Sequence, residues 1–199
     1  EDDTAVALVE GAIKDGVEDP SDILKDGVME GLRKIGDRFA AGEYYLSELV
    51  LGGELTDRCI AILSPYLPQN TGPKRGVVVI GAVKGDLHSI GYGLVAEQLE
   101  LAGYEVHNLG IDVPSMTFID RAQEVHADII GLSAFLVTTI PYCGELVNYL
   151  KDLKIRDQYK VIVGGAEINQ EVANAMGADG WSANAMEAVL LCDRLMGLS

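Results

Sequence analysis

The sequence predicts an α/β protein in which a helical bundle precedes a doubly wound parallel sheet. Two observations predict this fold class. Apolar residues recur at helical spacing up to about residue 68, and after Arg75 short apolar runs alternate with helical patterns. Between these halves, residues 69–75 are polar, contain glycine and proline, and show no periodicity. We therefore expect a helical domain over residues 1–68, a linker over 69–75 and an α/β domain over 76–199.

Three helices are expected in the first half. Thr4 is a candidate N-cap for the first helix, which should end near Gly16. Asp19 followed by Pro20 marks the start of the second, because an aspartate caps well and proline is tolerated in the first turn. Its apolar stripe comprises Leu24, Val28, Leu32, Ile35 and Phe39.

The third helix should begin near Leu46 and bury one face. Two glycines inside it, Gly52 and Gly53, are costly in a helix and indicate a bend or a close contact. Pro65 and Pro68 end the helical half. The face expected to be buried comprises Leu46, Leu49, Gly53, Ile60 and Leu63.

The second half begins with a continuous apolar run, as expected for a strand that is buried on both faces. Four further strands and five helices alternate after it. The expected strands are 76–81, 104–109, 128–133, 160–163 and a short one near 179–181. The expected helices are one that carries Leu94 to Ala102, then 115–125, about 142–153, 169–176 and one from about 184.

Composition excludes several classes of function. Acidic residues number 31 and basic residues 15, so the net charge is −16 and the pI is about 4.4, which disfavours nucleic acid and anionic membranes. No stretch is apolar for the roughly 20 residues that span a bilayer, and the first residues lack the features of a signal peptide. Cys59, Cys143 and Cys192 are far apart, which argues against disulfides and against a cysteine metal site. We expect a cytoplasmic protein with buried, unreactive thiols.

The loop after the first strand carries the strongest chemical signal, Asp86-x-His88-x-x-Gly91. Ligands in open parallel sheets bind beyond the carboxyl ends of the strands. An imidazole there can coordinate a metal, and a carboxylate two residues earlier can bond its other nitrogen and raise its basicity. Gly91 allows a bulky group to approach the backbone. The loop has neither a dinucleotide fingerprint nor a phosphate-binding loop, and by itself the motif is also compatible with an ordinary polar loop.

Two other strand ends add to this signal. The third strand ends at Ser133, and hydroxyls follow at Thr138 and Thr139. The fourth ends at Gly164 and Gly165, which would open a slot into the sheet. Taken alone, these glycines are better explained by a tight turn into the next helix.

Together the three motifs resemble, in order and spacing, the vitamin B12-binding domains of methionine synthase and of methyltransferase corrinoid proteins, whose fold is Rossmann-like or flavodoxin-like. The helical half resembles the cap of the same proteins, through Ile35 to Phe39 and Gly42 to Leu49. The resemblance covers essentially the whole chain. The chain looks most like the corrinoid subunit of a three-component methyltransferase of anaerobic metabolism.

The resemblance implies a role for individual residues. His88 would be the lower axial ligand of cobalt in a base-off, His-on cobalamin, which cycles between methylcobalamin and cob(I)alamin. Asp86 would bond to His88, and Ser133 would extend that chain. The displaced nucleotide tail would thread past the glycines, and the helical half would cover the methyl face. The implied cofactor-binding residues are Asp86, Leu87, His88, Ser89, Ile90, Gly91, Ser133, Phe135, Val137, Thr138, Gly164 and Gly165.

The sequence departs from the family pattern at several positions. The family's serine is commonly followed by x-Leu and, four residues after the serine, by threonine, whereas Phe135 and Val137 stand here and Thr138 comes next. Ser89 replaces a frequent aspartate, and Gly91-Tyr92-Gly93 replaces Gly-Lys-Asn. We expect altered contacts to the tail and to the corrin rim, with Asp86 and His88 unaffected. Tyr44 and Tyr45 would either contact the corrin or fill the bundle.

The implied function is that of a methyl carrier between a substrate-specific methyltransferase and a second one that serves tetrahydrofolate or a similar acceptor. Such a subunit is not an autonomous enzyme. Besides the two methyltransferases, the resemblance allows a reductive activase as a further partner. Three alternatives stay open: a cobalamin-dependent regulator, a B12-binding fragment of a larger enzyme, and a nucleotide-binding protein without cobalt. The strong acidity disfavours the regulator, since such proteins usually add a basic DNA-binding segment. The missing phosphate loop disfavours the nucleotide-binding protein.

Overall fold

The computed structural model describes residues 2–16, 19–67 and 75–198, and the chain divides into two units, Glu1–Pro68 and Gln69–Ser199. The expected linker, 69–75, lies outside the described residues except for Arg75, and its role stays a prediction. No helix in the described ranges is long and apolar enough to cross a bilayer.

The first unit is helical. Its elements are α1 (Asp2–Asp15), α2 (Pro20–Asp22), a π-helical segment (Ile23–Met29), α3 (Glu30–Ala40), α4 (Leu46–Leu63) and a short 3₁₀ turn (Ser64–Tyr66). Asp19 caps α2 as expected, because its carboxylate accepts the Ser21 N–H at 2.8 Å. Thr4 lies inside α1, so its expected role as the N-cap was wrong.

The predicted second helix is a helical run, Pro20 to Ala40, that contains the wider π-helical turns. Leu24 at the start of the apolar stripe is buried, whereas Phe39, in the last turn of α3, is exposed. Leu46 was expected on the buried face of α4 but is 64% exposed, because that face begins one turn later. The residues of α4 that are buried are Gly52, Gly53, Thr56, Cys59 and Leu63.

The expected close contact at the glycine pair is present. A Cβ atom added to Gly52 would lie 2.7 Å from Ile35 Cδ1, so the side chain of Ile35 packs directly on the α4 backbone at this glycine. The gain in packing offsets the low helix propensity of glycine.

The second unit is a five-stranded parallel sheet in the order β2-β1-β3-β4-β5. The strands are β1 (Val77–Ala82), β2 (Glu105–Asn108), β3 (Ile129–Ser133), β4 (Lys160–Gly164) and β5 (Gly180–Trp181). The helices are α5 (Ile90–Ala102), α6 (Ser115–Glu124), α7 (Ile140–Asp152), α8 (Gln170–Met176) and α9 (Ala185–Leu195). Every predicted strand and helix of this half is present, with ends displaced by a few residues.

Helices cover both faces of the sheet, as the doubly wound prediction requires. On one face Phe118 of α6 and Leu146 of α7 pack against Val79 and Ile130. On the other, Leu99 of α5 and Leu191 of α9 form a second apolar layer with neighbouring strand residues. The expected fold class is confirmed, and all three cysteines are buried and free.

The strand order places a crevice between β1 and β3. From β1 the chain moves to β2 on one side and then crosses to β3 on the other, so the connections leave β1 and β3 in opposite directions. Ligands of open α/β sheets bind at such a switch point, beyond the carboxyl ends of the strands. The loops that follow β1 and β3 are those that carry Asp86, His88 and Phe135.

Candidate functional site

The carboxylate of Asp86 holds the imidazole of His88. Asp86 is fully buried, and its Oδ1 atom accepts the backbone N–H of His88 at 3.0 Å and lies 2.7 Å from Nδ1 of the same residue. A carboxylate oxygen only accepts, so the ring proton belongs on Nδ1. The side chain of His88 is 46% exposed, and its Nε2 atom is left with a lone pair that can bind a metal.

The second oxygen of Asp86 is also bonded. Oδ2 accepts the backbone N–H of Phe135 and the hydroxyl of Thr139, the latter at 2.9 Å. Burial raises the pKa of the Asp86 carboxyl, but the hydrogen bonds from His88, Phe135 and Thr139 together outweigh it and hold the pKa below its ordinary value. Asp86 is therefore ionised at neutral pH and supports the Nδ1–H tautomer of His88.

The hydroxyl that contacts Asp86 belongs to Thr139 and not to Ser133. The expectation that Ser133 extends the Asp86–His88 chain was wrong, because Ser133 is the last residue of β3 and lines a neighbouring cavity. The loop turns between Ser133 and α7, and this turn brings Thr139 back over the carboxylate. Hydroxyls at this strand end are a sequence signal, but the sequence does not show which one reaches Asp86.

Phe135 packs against His88, the candidate metal-ligating residue. Its ring is stacked on the imidazole of His88, with ring centroids 4.3 Å apart and an interplanar angle of 27°. The aromatic ring that departs from the family pattern thus covers one face of the imidazole. Its exposed fraction is 45%, so the other side of the ring faces outward.

A cavity of about 430 Å³ opens beside His88, at the carboxyl ends of the central strands. Six of the expected site residues line it: His88, Gly91, Ser133, Phe135, Gly164 and Gly165. Asp86 lies beneath His88, bonded to it. The remaining expected residues do not line the cavity: Leu87, Ser89, Val137 and Thr138 are exposed, and Ile90 is the half-buried first residue of α5.

One wall of the cavity was missed by sequence reasoning. It consists of the end of β5 and the start of α9, Trp181 to Ala185. Trp181, at the end of the short strand β5, would be expected from its position to pack at the end of the sheet, but it also lines the cavity. The indole Nε1 of Trp181 is buried and has no hydrogen-bond partner within the described parts of the chain. The asparagine N-cap of α9, Asn184, was the available sequence signal for this wall.

The two glycines after β4 have different roles. At Gly165 φ is +144°, and an added Cβ would lie 1.9 Å from the carbonyl oxygen of Ala134. At Gly164 an added Cβ would meet only the carbonyl oxygen of Ser182, at 3.8 Å. Gly165 is therefore required by the backbone, whereas Gly164 leaves open space in the cavity wall.

A second histidine, His107, and the two tyrosines considered above are hydrogen-bonded or exposed. The Nε2 atom of His107 lies 2.9 Å from a carboxylate oxygen of Glu105, and its Nδ1 atom lies 3.0 Å from a guanidinium nitrogen of Arg121. In the helical unit, the hydroxyl of Tyr44 accepts a hydrogen bond from Arg38, whereas Tyr45 is 77% exposed and does not fill the bundle.

Comparison with known proteins identifies the family. Two family models, each described as a B12 binding domain, match residues 76–190 and 1–64. The dimethylamine corrinoid protein of Methanosarcina barkeri is 40% identical over 195 residues, which cover 98% of this chain and 91% of that protein.

Solved structures agree with this assignment. The Methanosarcina barkeri monomethylamine corrinoid protein matches with a TM-score of 0.84 and 27% identity, over 95% of this chain and 89% of that one. A cobalamin-binding protein from Desulfitobacterium hafniense matches with a TM-score of 0.60 and 35% identity over the same shares. The chain belongs to the corrinoid-protein family of B12 binding domains.

Proposed function

We propose that this protein is a methyl carrier that holds cobalamin base-off and His-on, with His88 as the lower axial ligand. One observation carries the proposal: the imidazole of His88 is fixed through Nδ1 by a buried carboxylate and leaves Nε2 free, beside a cavity at the switch point of the sheet. The names of the related corrinoid and cobalamin-binding proteins support the choice of cofactor.

The residues present fit this cofactor. The carboxylate of Asp86 holds the proton of the imidazole on Nδ1 and leaves the Nε2 lone pair available to a metal. The stacked ring of Phe135 restricts rotation of the imidazole, so Nε2 points in a defined direction. Both groups act before any cofactor arrives, which reduces the ordering cost of binding.

The cavity suits the displaced lower base and its linker. Its volume of about 430 Å³ lies within the roughly 300–1,000 Å³ that is typical of small-molecule sites. Ser133, Gly91 and Gly164 line the cavity together with His88, and the N–H of Trp181, which has no partner among the described residues, is a donor available to the tail. A buried donor without a partner is costly, so a ligand acceptor there would remove that cost.

When bound, the corrinoid supplies a cobalt centre that takes a methyl group from one methyltransferase and releases it to another. The residues of this chain bind the cofactor, hold the ligand proton on Nδ1 and shield the imidazole. We propose that the donor is a methylated amine, on the basis of the named relatives, and that the acceptor enzyme serves tetrahydrofolate or a similar acceptor.

Reconstitution tests this proposal. Apo-protein is incubated with cobalamin, reduced, and mixed with dimethylamine, monomethylamine or methanol, each with and without the methyltransferase for that donor. We expect methyl transfer to the protein-bound cofactor only in the presence of the enzyme, and discharge only when the second enzyme and its acceptor are added. Turnover of a donor by this chain alone, or no transfer in any complete mixture, would contradict the carrier role.

A matched pair of variants assigns the ligand. His88→Ala should lose the spectrum of a histidine-ligated corrinoid, whereas His126→Asn should keep it. His126 is an exposed residue after α6 with φ +52°, a conformation that asparagine tolerates. Equal spectra for the two variants would remove His88 from its proposed role.

A further inference from the structure

We propose that Tyr92 selects corrinoids that retain a complete nucleotide tail, because its phenol hydroxyl donates a hydrogen bond to that tail inside the cavity. The inference rests on the proposed function, since it names the class of cofactor that the cavity distinguishes. Tyr92 is the third residue of α5 and follows His88 by four positions. It stands at a position where the sequence departs from the family pattern, so its role does not follow from that pattern.

The side chain of Tyr92 is buried between α5 and the sheet. Only 6% of the residue is exposed, and it belongs to the apolar layer that contains Ile80 and Leu99. Tyr92 also lines the cavity beside His88. The phenol at this departure from the family pattern therefore changes the chemistry of the cavity wall rather than that of the protein surface.

The hydroxyl of Tyr92 is available to a ligand. It forms no hydrogen bond with the residues that the structure describes, and these residues do not enclose the oxygen. In the same apolar layer, by contrast, the hydroxyl of Tyr104 donates to Asp193 at 2.9 Å, as buried tyrosines usually do. Because the ring of Tyr92 is buried on the inner side of α5, the cavity is the space open to its hydroxyl.

The surrounding walls of the cavity are largely apolar. On the sheet side, Ile80, Gly131 and Ile162 are paired across adjacent strands and all line the cavity. The α5 wall consists of Gly91, Tyr92, Leu94 and Val95, and of these only Tyr92 has a polar side chain. No lysine or arginine is found among the described residues that line the cavity, so a tail that enters it depends on neutral donors.

A nucleotide tail needs donors in such a wall. Its phosphodiester, ribose and base all present hydrogen-bond acceptors, and burial of an acceptor without a donor is costly. Burial raises the pKa of the Tyr92 hydroxyl above its ordinary value, so the phenol keeps its proton at neutral pH and can donate it. Cobinamide, a corrinoid that lacks the phosphate, the ribose and the base, offers none of these acceptors. The hydroxyl should therefore favour cobalamin over cobinamide.

The test combines two substitutions with two cofactors. Tyr92→Phe removes one oxygen and keeps the buried ring. Tyr159→Phe is the matched control, because Tyr159 is also 6% exposed and also has a pKa raised by burial, but it does not line the cavity. Each protein is titrated with cob(II)alamin and with cob(II)inamide, and the dissociation constants are measured from the visible absorbance. Electron paramagnetic resonance records the histidine-coordinated fraction of each complex.

We expect Tyr92→Phe to weaken the binding of cobalamin by about three- to tenfold, the effect of one neutral hydrogen bond. Its affinity for cobinamide and the histidine-coordinated fraction of both complexes should not change. Tyr159→Phe should bind both cofactors as the unsubstituted protein does. A merely structural role of Tyr92 would affect the two cofactors alike, so the ratio of the two dissociation constants isolates the contact with the tail.

Three results would overturn the inference: an unchanged ratio in Tyr92→Phe, an equal loss of affinity for both cofactors, or the same change of ratio in Tyr159→Phe. If Tyr92→Phe does not fold, Tyr92→Leu provides a second hydroxyl-free variant for the same titrations. Failure of the proposed function is distinguishable, because the unsubstituted protein would then show no histidine-ligated cobalamin at all, whereas failure of this inference leaves that ligation intact.

Discussion

Substitutions of the two glycines at the end of β4, Gly164 and Gly165, should affect two different properties, the stability of the fold and the binding of cobalamin. In Gly165→Ala the new Cβ would lie 1.9 Å from the carbonyl oxygen of Ala134, whereas essentially no real Cβ contact is closer than 3.0 Å. Ala134 would have to move by about 1 Å. That movement would strain the hydrogen bond from the Ala134 N–H to the carbonyl oxygen of Gly164, which is 3.0 Å long.

The magnitude follows from these two terms. Alanine at φ +144° costs roughly 1–3 kcal/mol, and a weakened hydrogen bond between β3 and β4 adds about 0.5–1.5 kcal/mol. We expect Gly165→Ala to lower the free energy of unfolding by about 3 kcal/mol and the Tm by about 10 °C. Because the N–H of Phe135 bonds Asp86, the same movement should also disturb the site.

Gly164→Ala is the matched control. Its Cβ would have space, with the nearest atom 3.8 Å away, but that space belongs to the cavity. We expect Gly164→Ala to change stability by less than about 1 kcal/mol and to weaken cobalamin binding. Urea denaturation of both apo-variants and cobalamin titration measure the two effects. Equal stability of Gly165→Ala and the unsubstituted protein would refute the steric reasoning, and unchanged cobalamin affinity of Gly164→Ala would refute the assignment of the cavity.

Three further outcomes are expected. The fluorescence of Trp181, the single tryptophan, should be quenched in proportion to bound cobalamin, and an unquenched signal at saturation would place the tail elsewhere. Gly31→Ala, with open space around it, should stabilise the helical unit by about 0.5–1 kcal/mol, while Gly52→Ala should stabilise it less or destabilise it, because its Cβ meets the side chain of Ile35; chemical denaturation compares them, and a larger gain for Gly52→Ala would contradict this. Burial raises the pKa of the Cys143 thiol to about 12, so it should resist iodoacetamide at pH 8 until the protein is unfolded, and rapid native alkylation would contradict this.

The parallel sheet and the Asp86–His88 pair could be predicted because both depend on short-range patterns. Strands buried on both faces have continuous apolar runs, and two residues in one loop after such a strand are near each other regardless of the rest of the fold. The buried pair of glycines in α4 was also informative, since glycine in a helix interior usually requires a packing reason.

Other features depend on long-range geometry that sequence patterns do not encode. Which hydroxyl reaches Asp86 depends on how the loop after Ser133 turns, and the turn places Thr139 there. Trp181 reaches the cavity because the short strand β5 pairs at the sheet edge beside β4. The π-helical turns at Ile23–Met29 were not predicted, because they leave no sequence pattern that distinguishes them from an ordinary helix.

The identity of the axial ligand is the central claim, and isotope labelling tests it directly. The protein is produced with ¹⁵N-histidine, loaded with unlabelled cob(II)alamin and examined by electron paramagnetic resonance. If His88 replaces the lower base of the cofactor, each cobalt line should be split into a doublet by the ¹⁵N nucleus, and His88→Ala should lose the doublet. A triplet from unlabelled ¹⁴N would show that the cofactor keeps its own base, and would contradict the account.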